Sequence, residues 1–310
     1  MADQPEGAID VVIVNWNSAG HLKHCLDALA VDSERTFIRS VTVVDNLSTD
    51  GSVDIETPPT LRVRIDRAGE NLGFARGCNR GARPGEAEIL LFLNPDTRIR
   101  PGALEAGVTA LRTRPDLGIV GLRLVDATDT SQGSCSNFPS PLAFFLRAFA
   151  LDRLPWLSRF RAFMPESDCA GSRTVDQVMG ACWFMPRPLF RELGGFDERF
   201  FMYYEDTDLA LRSKRAGRGS WFEISGKAEH TGGGSSSAIP ERRLFYFLRS
   251  RLTFARKHFS RSNYLAVLLT TLTIEPWTRL ILTGWHQGFG GLRAVVAGYR
   301  LLWCSLVNEN

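Results

Sequence analysis

Apolar runs that end on polar residues alternate with helical stripes over the first three quarters of the chain. Ile9 to Val14 is rich in Val and Ile, broken only by Asp10, and stops at Asn15-Trp16-Asn17. A buried parallel strand delivers polar residues to its carboxyl end in this way. Ser18 to Ala30 then has helical spacing at Leu22, Cys25, Leu26 and Leu29. Val41 to Val44 reads as a second strand ending in Asp45-Asn46, followed by the self-bonding turn Ser48-Thr49-Asp50-Gly51. A weaker strand is expected near Leu61 to Ile65, a strongly apolar one over Ile89 to Leu93, and another over Leu117 to Leu124. Pro101 to Arg112 reads as a helix with Pro in its first turn. Val178 to Met185 is a further apolar run and Pro188 to Leu193 a short helix, and Trp221 to Ile224 follows the Gly194 to Gly217 segment. Strand, helix, strand with polar tips predicts an α/β protein with a Rossmann-like open sheet flanked by helices. Ligands of such sheets sit outside the carboxyl ends of the strands. No G-x-G-x-x-G follows the first strand, which argues against a dinucleotide fold.

The pattern changes twice. From Asp126 to Val175 it loosens into an aromatic and arginine-rich insertion (126–175), with Phe144, Phe145, Phe149, Trp156, Phe160 and Phe163 among Arg147, Arg153, Arg159 and Arg161. From Glu241 a helical stripe of Leu244, Leu248, Leu252, Ala255 and Phe259 runs beside Arg242, Arg249 and Arg256, and no acid occurs between Arg242 and Ile274. Tyr264 to Leu282 is apolar but carries Glu275-Pro276 and Arg279, which a clean spanning helix should not contain near its middle. The expected division is a catalytic domain over 1–240 and a helical, basic and apolar segment over 241–310. That segment suits an anionic membrane face, on which it would lie rather than cross. The other reading is a helical cap packed on the catalytic domain.

Candidate chemistry sits at the strand tips and in three further places. The segment from Gly194 to Gly217 brings Glu205, Asp206 and Asp208 into the first turn of a predicted helix, after Tyr203 and Tyr204. Helix-start acids often only cap free N–H groups. An aromatic wall beside a carboxylate, however, raises its pKa and prepares a general base. In Glu70 to Gly81, Gly73, Gly77 and Gly81 share one helical face, and Arg76 and Arg80 share a neighbouring one with Asn79 nearby. A face without side chains lets the helix lie close to a sheet or a ligand. Two guanidiniums beside it suit a diphosphate, and the alternative is an ordinary solvated basic face. Asn94-Pro95-Asp96 presents side-chain oxygens on one side of a turn, fit for Mg²⁺ or Mn²⁺ shared with substrate phosphates, or simply a turn. His230 stands at the mouth of a Gly/Ser loop that ends at Ser237.

The 310 residues are 44% hydrophobic and 23% charged, enough for a full core. A net charge of +3 is too small to point to nucleic acid. Six scattered cysteines with no C-x-x-C pair exclude a zinc or redox motif. The polar, acidic start shows no secretory signal, so a cytoplasmic location is expected.

Together the segments ending at Asn17, Gly51, Asn79, Thr97 and Leu209 resemble the inverting glycosyltransferases of family 2, in particular their rhamnosyltransferase-like branch. The resemblance runs from about Ile9 to Ser237. It implies a GT-A fold, a nucleotide-diphosphate sugar donor and a divalent cation. By that resemblance Asp45 holds the nucleotide base with Asn15 beside it, and Asn17, Asn71, Arg76, Asn79, Arg80 and Asn94 lie on the donor side. Asp96 matches the end of the family's metal-binding Asp-x-Asp, whose first position is here Asn94, and His230 is similar to a late metal-site histidine. Asp206 matches the catalytic base, with Tyr204, Glu205 and Trp183 on the acceptor side. The branch implies rhamnose from dTDP-rhamnose, or a UDP- or GDP-sugar, transferred to a glycan or polyprenyl-diphosphate-linked acceptor of cell-wall or O-antigen synthesis. The protein would then work on the cytoplasmic face of the membrane. Two rival readings remain. A nucleotidyltransferase would show a Gly-rich basic loop where Asn15 to Ser18 stand, and an idle sugar-nucleotide binder would not need acids at 206 or a histidine at 230.

Overall fold

The computed structural model describes residues 7–31, 36–161, 164, 170–232 and 239–308, apart from the side chains of 158–159 and 286–289. Cys169, Phe163, the side chain of Arg159 and the Gly/Ser loop beyond Gly232 lie outside the described residues. Two compact units form. The first draws on 1–136, 163–198 and 206–234, and the second on 137–162, 199–205 and 235–310.

The first unit is built on a nine-stranded mixed sheet. β1 (Ile9–Asn15) is buried along its whole length and lies between β2 (Ile38–Asp45) and β4 (Ile89–Leu93), parallel to both. β3 (Val63–Arg67) extends the parallel set beyond β2. Helices α1 (His21–Leu29) and α2 (Gly73–Ala82) connect them. Val- and Ile-rich sequences without alternation suit strands covered on both faces. Asp10, the one polar interruption of β1, is matched by Arg187, whose Nη2 donates to it at 2.6 Å, while Ala87 N–H donates to the same oxygen. A buried carboxylate inside a strand is tolerated because each lone pair has a donor.

Beyond β4 come β5 (Thr97–Ile99), α3 (Ala103–Thr113), β6 (Leu117–Val125), the short β7 (Cys135–Ser136), and in the second unit α4 (Pro141–Ala148). The chain returns with β8 (Arg173–Val175), β9 (Gln177–Val178), β10 (Cys182–Pro186), α5 (Arg187–Glu192), α6 (Glu205–Arg215) and β11 (Gly219–His230). The sheet order is β3-β2-β1-β4-β10-β6-β11-β5, with β8 also on β11. β10 is the inserted antiparallel strand, with Cys182 opposite Leu93. Its start therefore lies at the same end of the sheet as the carboxyl end of β4. β11 takes in Trp221 to Ile224 and carries His230 at its last position.

The glycine face of α2 settles against the sheet. A Cβ at Gly77 would lie 2.9 Å from Val14 and one at Gly81 2.5 Å from Val12, both closer than real contacts allow. The close approach that the spacing predicted is thus to β1, and those positions face no ligand.

The second unit adds α7 (Pro240–His258), α8 (Arg261–Thr273) and α9 (Glu275–Asn308) to α4. Arg251 on α7 is buried and bonds Thr271 at 2.8 Å and both carboxylate oxygens of Glu275, whose Oε1 also accepts from Arg279. Among the described residues no single helix is long and apolar enough to cross a membrane.

Candidate active site

Register alone gathers most of the polar tips. Asn15 pairs with Asp45 at the ends of β1 and β2. Asn15 is fully buried, and its Nδ2 bonds Ser48 and Ser52 at 3.0 Å each, so it braces the turn after β2 and does not face a ligand. Asn17 plays a similar part. Its N–H donates to Ser48, its Oδ1 accepts from Thr49 N–H, and its φ of 48° places it in the left-handed region that Asn tolerates. Together the loops after β1 and β2 form one locked rim beside Asp45.

At β4 the next turn carries Asn94 and Asp96. Asn94 N–H donates to Ala181 O and its carbonyl accepts from Thr97 N–H, so the turn is tied to the chain just before β10. Gly180, one residue earlier, gives its N–H to Asp206, and a Cβ at 180 would stand 3.0 Å from Asp206 Oδ2. A glycine here lets α6 bring its carboxylate against the β10 approach. Asp206 also accepts from Thr207 N–H at 2.7 Å. Burial pushes its carboxyl above the ordinary range, and these donors only partly oppose the rise. That is the direction a base working near neutrality requires.

Asp96 and His230 meet across the β5–β11 pair, where Thr97 lies opposite His230 and Thr231 N–H donates to Asp96 O. His230 Nε2 stands 3.4 Å from Asp96 Oδ1, both side chains being about 12% exposed. Burial disfavours the Asp96 carboxylate, but the contact with and charge of His230, helped by His21, outweigh it and hold the carboxyl below its usual value. His230 Nδ1 is buried with no hydrogen-bond partner among the described residues. An oxygen and a nitrogen facing each other beyond good hydrogen-bond length, with an orphaned ring nitrogen, fit a shared divalent cation. No group of three such ligands forms among the described residues, so remaining positions would fall to donor phosphates or water.

Several expected site residues are engaged elsewhere. Arg80 is committed to Asp66 through two bonds of 2.8 Å. Asn79 both donates to Phe196 O and accepts from Phe196 N–H, fixing the turn after Gly195. Trp183 is 1% exposed with its Nε1 on Val178 O, which rules out contact with an acceptor: the apolar run that contains it is a core strand. Asn71 accepts from Gly73 N–H at the start of α2. Arg76 is different. It is half-exposed, with only loose ion pairs to Glu70 at 3.7 Å and Glu198 at 3.8 Å, and a phosphate could displace these weak partners.

Tyr204 belongs to the second unit, where its ring packs near Phe144, Phe247 and Phe254 and burial pushes its hydroxyl up. Tyr203 and Tyr204 have φ of 71° and 65°. Two consecutive aromatic residues in the left-handed region store strain of order 1 kcal/mol or more each, held by that ring cluster directly before α6. Glu205 is buried at 6% exposure, so it too is not an open acceptor contact. The sequence places Asp208 among the helix-start acids but leaves its pairing with Arg212 unread. Asp208 is fully buried, and Arg212 binds it while donating to Leu193 O and Gly195 O. The i, i+4 spacing of the pair was the available signal.

A mixed sheet of this order, with an antiparallel strand inserted and acids at the tips, defines a GT-A glycosyltransferase. The mannosyltransferase PcManGT from Pyrobaculum calidifontis, solved in complex with GDP-Man and Mn²⁺, matches over 98% of this chain and 87% of its own with a TM-score of 0.56 at 18% identity. Residues 10–194 match glycosyl transferase family 2, and the chain belongs to that family of enzymes. It is 30% identical over 260 residues to the N-acetylglucosaminyl-diphospho-decaprenol L-rhamnosyltransferase of Mycobacterium tuberculosis, covering 79% of this chain and 83% of that protein. The low-salt glycan biosynthesis hexosyltransferase Agl10 of Haloferax volcanii is 26% identical over 211 residues, 67% of this chain and 62% of its own.

Proposed function

We propose that the protein transfers rhamnose, with inversion, from dTDP-rhamnose to a polyprenyl-diphosphate-linked glycan at the cytoplasmic face of a membrane. What supports this reading is one arrangement. The Asp96–His230 pair and Asp206 lie at the same end of the sheet, joined through Asn94–Ala181 and Gly180–Asp206. The transferred sugar and the lipid carrier are those named for the mycobacterial relative.

In this reading Asp45 receives the nucleotide base at the rim of β2, which Asn15, Asn17 and Ser48 brace. Asp96 and His230 would hold a divalent cation, whose charge would offset that of the departing diphosphate. Arg76 swings from its loose ion pairs to the same phosphates. Asp206 takes the proton of the acceptor hydroxyl, and its raised pKa makes it a stronger base than a solvated carboxylate. Inversion follows from a single displacement, with base and leaving group on opposite sides of the anomeric carbon.

A thermal-shift panel of dTDP-rhamnose, UDP-sugars and GDP-sugars, each with Mn²⁺, tests the donor. A ligand at about 100 times its Kd stabilises by about 2.7 kcal/mol. The largest shift is expected with dTDP-rhamnose. A larger shift with a UDP- or GDP-sugar would reassign the donor, and none with any nucleotide sugar would remove the reading.

A further inference from the structure

The second unit encloses the Arg251–Glu275 ion pair and turns a ladder of large apolar side chains outward. On α8, Val267 and Thr271 are 2% and 1% exposed, and the same stripe continues to Glu275, 2% exposed, at the start of α9. The opposite stripe reads Leu265 at 45% and Leu269 at 61%, then Trp277 at 68%, Ile281 at 66% and Trp285 at 85%. These positions recur every four residues within each helix, so each set shares a face. The helices bend by 42° at the break between them.

Glu275 with Pro276 and Arg279 argues against a clean spanning helix. In the fold the Glu275 carboxylate is enclosed by Arg251 and Arg279, and Arg251 also donates to Thr271. The charges of the two arginines overcome burial and hold the carboxyl below its usual value. The only acid of the helix pair therefore points away from the outward face, which is left without a negative charge.

We infer that this outward ladder is a membrane-docking face, which enters one leaflet of an anionic bilayer with α8 and α9 lying in its plane. Tryptophans prefer the headgroup boundary, where an apolar ring and a polar N–H are both satisfied. Exposed Trp285 and Trp303 lie eighteen positions apart on α9, which is five full turns and so one face. The charge around the ladder selects the occupant. Residues 241–310 hold ten Arg and Lys against three acids. Anionic lipid complements that excess, whereas a second copy of the chain would set like charge against like. The inference deepens the proposed function, because a lipid-linked acceptor must be met at such a surface, and it rests on that reading for its purpose.

The test is flotation of the full chain with vesicles of phosphatidylcholine containing about one third phosphatidylglycerol, beside vesicles of phosphatidylcholine alone. Binding to the anionic vesicles is expected, with a blue shift of tryptophan emission. The combined variant Trp277→Ser, Ile281→Ser and Trp285→Ser should weaken it at least tenfold, yet keep wild-type turnover on a water-soluble acceptor analogue. Unimpaired vesicle binding by the variant would overturn the inference. So would a wild-type dimer in light scattering that ignores vesicles and becomes monomeric in the variant, since a second copy then covers the face. Absence of sugar transfer by a wild-type chain that floats normally would remove the proposed function and leave the docking face standing.

Discussion

Replacing Asp206 by Asn should separate binding from chemistry. The substitution keeps the side-chain shape against Gly180 and removes the proton acceptor. A positioned general base contributes about 10²- to 10⁴-fold, or about 2.7 to 5.4 kcal/mol of barrier. The upper part of that range is expected, because burial raises the basicity of this carboxylate relative to one in water. Initial rates at saturating donor and acceptor should therefore fall by at least about 10³, while donor affinity by calorimetry stays within about threefold, since in the proposed mechanism the residue acts on the acceptor hydroxyl. The pH profile gives an independent reading. A base must be unprotonated, so kcat/KM should fall as the solution is acidified through the raised pKa of Asp206. Its acid limb then lies above the ordinary carboxylate value of 3.8, and the limb should vanish in the variant. A variant that keeps a third or more of wild-type turnover, or the same acid limb, would refute the reasoning.

Three other outcomes follow from the packing and charge. Gly81→Ala should destabilise by about 1–3 kcal/mol, read as a lower denaturation midpoint, because its Cβ would stand 2.5 Å from Val12. His230→Ala should raise the Mn²⁺ concentration for half-maximal activity at least about tenfold, without a matching fall in melting temperature. Arg251→Met should cost about 3–5 kcal/mol at neutral pH, because Glu275 stays buried with one partner fewer. The depressed pKa of Glu275 stabilises above its usual value of 4.5 and is lost as pH falls through the depressed one. The gap between wild type and variant, followed by chemical denaturation, should therefore narrow on acidification below about 4.5.

The strands that present the site were legible because each apolar run stops on a chemically distinct residue: β1 at Asn15, β2 at Asp45, β4 before Asn94 and Asp96. The runs could not reveal direction. Val178 to Met185 has no period that distinguishes a parallel from an antiparallel strand, so the insertion of β10, which carries Gly180 to Asp206, appears only in the fold. The meeting of Asp96 with His230 depends on the β5–β11 pairing and has no local signature. Side-chain engagement was equally hidden. Arg76 and Arg80 are equivalent in spacing, yet Asp66 holds only Arg80 tightly. Trp183 was placed on the acceptor side, but an aromatic in an apolar run carries no local sign of which way it faces, and in the fold it packs inward.

The central claim is that Asp96, His230 and Asp206 serve one sugar-transfer centre. The most direct measurement incubates the protein with Mn²⁺, dTDP-rhamnose and a polyprenyl-diphosphate-linked N-acetylglucosamine, then assigns the anomeric configuration of the product by NMR. A rhamnosylated lipid of inverted configuration, formed by the wild type and lost in both Asp206→Asn and Asp96→Ala, is the expected result. Retained configuration, or undiminished product in either variant, would contradict it.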